Sequence, residues 1–420
     1  MSTPRALSHP PKDHAYRDLF EQLVTEAAFA WQRRATALDA PHYTSVDLAE
    51  MEHRLAALLK GLTSSIELGW ACSEAALAEQ GAGEQFTATV IAFSTGDSER
   101  IKIAVEAGLS DARATKGLIS ALGWLPDSIA RPWIARLFRG KDMNHKYLGV
   151  AACSLRRENP GEQLTDILTR EDCRAHVKLH ARALRLVGEL RRDDLSPIVE
   201  AATGGTDSTV AFWSTWSAIL LGHHAAVKHL RPFVSKPGRY RARALQMALR
   251  VLPLEEGRAW ISALAQDPAN IRAAIAASGV LGDPRAANWL IEKMTDPKLA
   301  RLAGEAFANI TGIDLDGCNL TLAPQQRPTP PDIPDDDDIG FHEDQNLPWP
   351  DPGKVAALWR NRGPNFKVDQ RYFLGKAITP DWLKLTIADG TLRQRHAAAL
   401  ALALIDRQSC LINTRAKSIA

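Results

Sequence analysis

No C-x-x-C pair, no long apolar run and no excess of either charge occurs in this chain of 420 residues. Each absence removes a class. The five cysteines, Cys72, Cys153, Cys173, Cys318 and Cys410, are odd in number and far apart. That argues against a disulfide framework and a zinc knuckle, and predicts small apolar core residues in a reducing compartment. The longest purely apolar run, Ala397 to Ile405, is nine residues, too short to span a bilayer. Met1 to Pro11 lacks the apolar stretch of a secretory leader, so a cytoplasmic location is the expectation. A formal net charge of +2 provides no global field toward nucleic acid or an anionic membrane, and any such attraction must be local. No G-x-S-x-G, P-loop or G-x-G-x-x-G occurs, so no nucleophile elbow or phosphate cradle is announced.

What is present is the balance of a folded soluble protein, 45% apolar and 24% charged, with a strong helical pattern. Residues 1–15 hold three prolines without periodicity and read as a loose, disordered tail. Residues 16–95 read as an N-terminal helical unit. Phe20, Val24, Ala27 and Trp31 repeat at helical spacing, Thr44 with Asp47 resembles a capping box, and Leu48, Met51, Leu55, Leu58 and Leu62 form the next stripe. A third helical segment, about 65–80, is expected to end at Gly81-Ala82-Gly83.

From about residue 96 to 315 the chain repeats. Segments rich in alanine and leucine close on Leu122, Leu155, Val187, Leu221, Leu252, Leu281 and Ile310, in steps of 33, 32, 34, 31, 29 and 29 residues. A shorter helical segment fits between successive ones. One helix pair per period near thirty is the signature of an α-solenoid. Asp267-Pro268, Asp283-Pro284, Asp296-Pro297 and Ser196-Pro197 are read as N-caps followed by proline at the first helical position. Residues 323–353 then hold eight prolines and eight acidic residues, including Asp335-Asp336-Asp337-Asp338, with one arginine and no lysine. Such a composition cannot bury a core, and 316–353 reads as an exposed acidic linker. Residues 354–420 read as a C-terminal helical cap. The predicted fold class is all-α, a HEAT-like α-solenoid between these two helical ends.

The candidate sites are few. His176 and His180 stand at i and i+4, a chelating spacing, but Val177 occupies the position where a zinc peptidase needs glutamate. Arg174, Lys178, Arg182 and Arg185 share the segment, and a cationic neighbourhood repels a cation, so a solvated basic face is the better reading. His223, His224 and His229 read as a polar turn. Lys228 to Arg250 contains Lys228, Arg231, Lys236, Arg239, Arg241, Arg243 and Arg250 without an acidic residue. Adjacent repeats place equivalent positions side by side, which predicts one basic stripe from these and the 174–185 cations. A solvated face is the commonest outcome for such runs. The functional alternatives are phosphate binding, as in helical-repeat DNA glycosylases, docking of an acidic protein, or docking of the chain's own Asp335 to Asp338. Protein docking ranks first among them, because few aromatics interleave the cations. Trp213 and Trp216, three apart, suit either packing or a binding surface.

Several stretches together carry a family resemblance. Glu26-Ala27-Ala28-Phe29-Ala30-Trp31-Gln32, Pro41-His42-Tyr43-Thr44, Ala121-Leu122-Gly123-Trp124-Leu125, Leu347-Pro348-Trp349-Pro350-Asp351-Pro352, Gln370 to Gly375 and Arg393 to Leu400 resemble a bacterial HEAT-like repeat family found with type VI secretion gene clusters. The resemblance covers essentially the whole chain. It implies a cytoplasmic adaptor or chaperone-like factor for a secreted effector or a spike-tip protein, and it carries over no catalytic residue. The expectation is a non-catalytic protein-binding scaffold with no cofactor and no metal. A nucleic-acid-binding repeat protein is the alternative, and an enzyme whose residues converge only in three dimensions is the third class.

Overall fold

A computed structural model of the protein describes residues 12–328 and 344–418. The expected tail up to residue 11 and the Asp335 to Asp338 run lie outside the described residues. The chain is all-α, built of stacked helices that contact one another over long sequence distances. It forms two compact units. The first comprises Met1–Asp39, Tyr43–Ala183 and Arg415–Ala420, and the second Ala40–His42 and Leu184–Thr414. No helix among the described residues is long and apolar enough to cross a membrane.

The first unit is built from α1 Lys12–Ala37, α2 Ser45–Thr63, α3 Ile66–Ala76, α4 Ala82–Thr95, α5 Ser98–Ser110, α6 Ala112–Trp124, α7 Asp127–Arg139, α8 Met143–Arg156, α9 Glu162–Thr169, α10 Glu171–Ala175 and the first half of α11 Val177–Leu190. Helix α1 begins inside the segment expected to be a loose tail. The capping box of α2 forms as read, with the Asp47 amide on Thr44 Oγ1 and the Thr44 amide on Asp47. Helix α4 is the centre of this unit and packs on α1, α3 and α6, while α6 packs on α8.

The sequence pattern missed α4 for a physical reason. Every residue from Gln85 to Phe93 is buried, and a helix covered on all sides has no polar face to make it amphipathic. Gly83 was read as punctuation, yet it is where α4 meets α1. A Cβ there would fall 2.4 Å from the Ala28 carbonyl oxygen. Gly117 does the same for α6, where a Cβ would fall 2.1 Å from the Ala82 oxygen. Beside this core lies a buried ion pair, Arg34 Nε to Glu52 Oε1 at 2.8 Å. The end of the chain completes it: the Ser418 amide donates to Glu52 Oε2 at 2.8 Å, and Arg34 Nη2 donates to the Arg415 carbonyl at 3.1 Å. A buried pair holds only when such extra hydrogen bonds replace the lost water.

The second unit continues from α11 with α12 Ser196–Ala202, α13 Ser208–Leu220, α14 Arg231–Ser235, α15 Arg241–Val251, α16 Leu254–Ala265, α17 Ile271–Leu281, α18 Ala287–Lys293, α19 Ala300–Thr311, α20 Pro352–Arg362, a hairpin of β1 Tyr372–Phe373 and β2 Lys376–Ala377, α21 Pro380–Asp389 and α22 Leu392–Ile405. Helices α15, α17 and α19 stack in a row and pack on α14, α16 and α18 in turn. Asp267 and Asp283 cap as read, accepting from the Ala269 and Arg285 amides.

Three sequence readings need correction here. The segment read as one helix from Asp172 to Val187 breaks at His176 into α10 and α11. Ser196 does not cap α12; it is the first helical residue, and its hydroxyl turns to His223. The helices after the linker do not form one cap on the end of the stack. Helix α20 does pack on α18, with Val355 and Trp359 in the terminal core, but α22 packs on α13 and α15.

The hairpin is too short to announce itself as alternation. It works as a strap along helix ends, where the last carbonyls of each helix lack partners. Arg371 donates to the Leu249, Arg250 and Leu252 carbonyls at the end of α15. The Tyr372 amide meets the Gly282 carbonyl after α17 at 2.8 Å. The Leu374 and Gly375 amides meet Asn309 and Ile310 of α19 at 2.7 and 3.1 Å. Leu374 and Gly375 both have positive φ, 50° and 77°, as the two centre positions of a tight hairpin turn require.

A candidate binding face

Helix α13 is buried from Ala211 to Leu220 without a break. Its serines survive burial by bonding backbone: Ser217 Oγ donates to the Leu184 carbonyl at 2.7 Å. Its aromatics seed a cluster with the residues leading into α15. Phe212 stacks on Tyr240 with centroids 4.2 Å apart, and Trp213 meets Trp216 edge-on at 5.4 Å and Tyr240 at 6.1 Å. Trp213 and Trp216 are therefore buried packing residues, the first of the two readings of their spacing.

The cations lie on this aromatic base. Arg185 stands 4.4 Å from the Trp213 centroid, Arg243 6.0 Å from the same ring, and Arg239 4.6 Å from Tyr240. Each such contact contributes about 0.5–1 kcal/mol at an exposed site, enough to orient a long side chain. Hydrogen bonds add direction. Arg185 also pairs with the fully buried Glu189 at 2.8 Å, Arg239 donates to Thr209 Oγ1 at 2.5 Å, and Arg241 donates to Asn270 Oδ1 at 2.6 Å. Burial pulls the Arg241 guanidinium below its ordinary range.

The structure seats Arg185 and Arg243 on Trp213 and Arg239 on Tyr240, with Arg241 turned to Asn270. Lys228 and Arg231 are exposed on the short element before α15, Lys236 in the loop between. Among the described residues, no hydrogen bond or ion pair to these three side chains occurs. Arg174, Lys178 and Arg182 belong to the first unit. There Arg174 and Lys178 are exposed, and Arg182 is half-buried and donates to the Ala151 carbonyl at 3.4 Å. Arg250 turns back onto Gln246 in the last turn of α15, and burial beside Arg371 pulls it down to about 10. Two cations were missed: Arg272 and Arg301, in the first turns of α17 and α19. The readable signal was that α13, α15, α17 and α19 all lack an acidic residue in the first turn, where acids are normally favoured.

The histidines serve the helices. His176 Nδ1 accepts the Leu179 amide at 3.2 Å at the start of α11, and His180 is buried. Among the described residues, no three His, Cys, Asp or Glu side chains converge as a metal site would need. Ser196, His223 and Glu200 do converge, with His223 Nε2 2.6 Å from the Ser196 hydroxyl and 3.3 Å from Glu200. Both contacts use the same nitrogen, whereas a charge-relay triad needs the acid on the other one. An open hollow of about 250 Å³ is lined by Arg131, Phe138, Cys153 and Glu158. Burial pushes its Cys153 thiol up to about 12, which favours the thiol over the reactive thiolate. Cys72 and Cys173 are buried as read, while Cys318 and Cys410 are exposed, contrary to a core role. Comparison of the chain with protein-family models, curated proteins and solved structures finds no match.

Proposed function

We propose that this chain is a non-catalytic, HEAT-like repeat scaffold that binds another protein. The observation that supports it best is the exposed guanidinium group of Arg239 and Arg243 held over Trp213 and Tyr240 on stacked helices. Cations oriented by a rigid aromatic base lose little side-chain freedom on binding, which is how a docking face gains affinity from few contacts. A bacterial, cytoplasmic adaptor or chaperone-like role toward a type VI secretion effector or spike protein belongs to the same proposal. It rests on the sequence resemblance alone.

The test is affinity capture of the tagged protein from its native host at physiological salt, with mass spectrometry of what is bound. Recovery of a spike-tip or effector protein in near-equal amount is the expected result. Recovery of nucleic acid, or of nothing specific, would overturn the scaffold reading.

A further inference from the structure

Arg272 and Arg301 stand one repeat apart, 29 residues, and residues 344–349 of the same chain run across both. The Asp344 carboxylate meets Arg272 Nη2 at 2.7 Å. Arg301 Nε donates to the Leu347 carbonyl at 2.9 Å, and its Nη2 to the Gln345 carbonyl. The Trp349 ring lies against the same guanidinium, with Cζ 4.7 Å from its centroid. A stretch of irregular chain is thus held by one carboxylate, two main-chain carbonyls and one aromatic ring. All of them are read by arginines in first helical turns.

First turns are positive for a second reason, the unpaired amides and the helix dipole. The edge formed by the starts of α17 and α19 therefore attracts carboxylates and carbonyls twice over. The same ingredients continue on α13 and α15. Arg243 lies 29 residues before Arg272, Arg239 and Arg241 stand beside it, and the first turns there carry no acid. The neighbouring acids are engaged locally. Asp207 accepts the Thr209 and Val210 amides, and Asp267 accepts the Ala269 amide and the Asn270 side chain.

We propose that the Arg239–Arg241–Arg243 face, based on Trp213 and Tyr240, docks an extended acidic segment of a partner protein in the way residues 344–349 lie across Arg272 and Arg301. This deepens the scaffold reading and rests on it. A peptide fits the face better than a duplex, because the groups already seated on the adjoining arginines are carboxylate and peptide carbonyls. Bidentate, planar guanidinium groups match both.

The probe is a fluorescein-labelled peptide with the sequence of residues 335–350, which carries the Asp run and the seated segment. Its control has every Asp and Glu replaced by the amide. Both are titrated into the full chain by fluorescence anisotropy, beside a 20-base-pair duplex DNA. The acidic peptide should bind, the amide peptide should bind at least about tenfold more weakly, and Arg239→Glu/Arg243→Glu should lose at least about tenfold in affinity. Lys102→Glu, an exposed cation on α5 of the first unit, should bind as the parent does. Unchanged binding by the double variant would overturn the inference. So would loss confined to Arg272→Glu, which would place the peptide on the arginines already covered, or duplex binding tighter than peptide binding. Failure here is separable from failure of the scaffold reading: a captured protein partner that the double variant retains removes this face and leaves the scaffold.

Discussion

The two units bury their helices by different means. The first unit is organised around α4, a helix buried without a break from Gln85 to Phe93, seated by glycines at backbone contact and flanked by the Arg34–Glu52 pair. The second is a row of helices whose inner ends are finished by a strap, Arg371 to Gly375, that supplies donors to α15, α17 and α19 in turn. One core depends on close approach and a buried charge pair. The other depends on serial capping at one set of helix ends, while the first turns of α15, α17 and α19 carry arginines. A row of stacked helices tolerates charge along one edge because each helix pair is stabilised mainly by its neighbours.

Substitutions can break this contrast, and the largest effect is expected in the first unit. Glu52→Ala removes the partner of a buried guanidinium and should cost about 3–5 kcal/mol, read by denaturant unfolding. Arg34→Met with Glu52→Leu should recover much of that loss, which the single change cannot. Gly83→Ala comes next. Its methyl meets backbone rather than a movable side chain, so about 1–3 kcal/mol or more is expected from the forced separation of α4 and α1. In the second unit, Arg371→Ala leaves three carbonyls without their charged donor and should cost about 1.5–3 kcal/mol. Hydrogen exchange should quicken at the end of α15 while α4 is unchanged; equal quickening in both would erase the contrast. The smallest effect on stability belongs to Arg239→Glu/Arg243→Glu. Only exposed contacts are lost there, so about 1 kcal/mol or less is expected by the same unfolding measurement.

Part of the second unit was legible, because α17 and α19 follow the Asp267-Pro268 and Asp296-Pro297 joints. Closing residues Val187, Leu252, Leu281 and Ile310 are buried where the repeat placed them. Helix α4 was illegible because uniform burial erases periodicity, and Gly83 looked like a break. The strap was hidden because what Arg371 does depends on carbonyls about 120 residues away. The face was half legible. The run from Arg239 to Arg243 stands out in one dimension, whereas Arg272 and Arg301 are single residues, noticeable only once the helices are stacked. Composition alone could not tell that Trp213 lies beneath the cations rather than beside them.

The central claim is that the second unit's cationic edge is a protein docking surface. The most direct test is a side-by-side capture from the native host with the parent chain and Arg239→Glu/Arg243→Glu, both first shown to unfold alike. The account predicts a protein partner in near-equal amount with the parent and at least about tenfold less with the variant. Equal recovery of the same partner by both chains would contradict it.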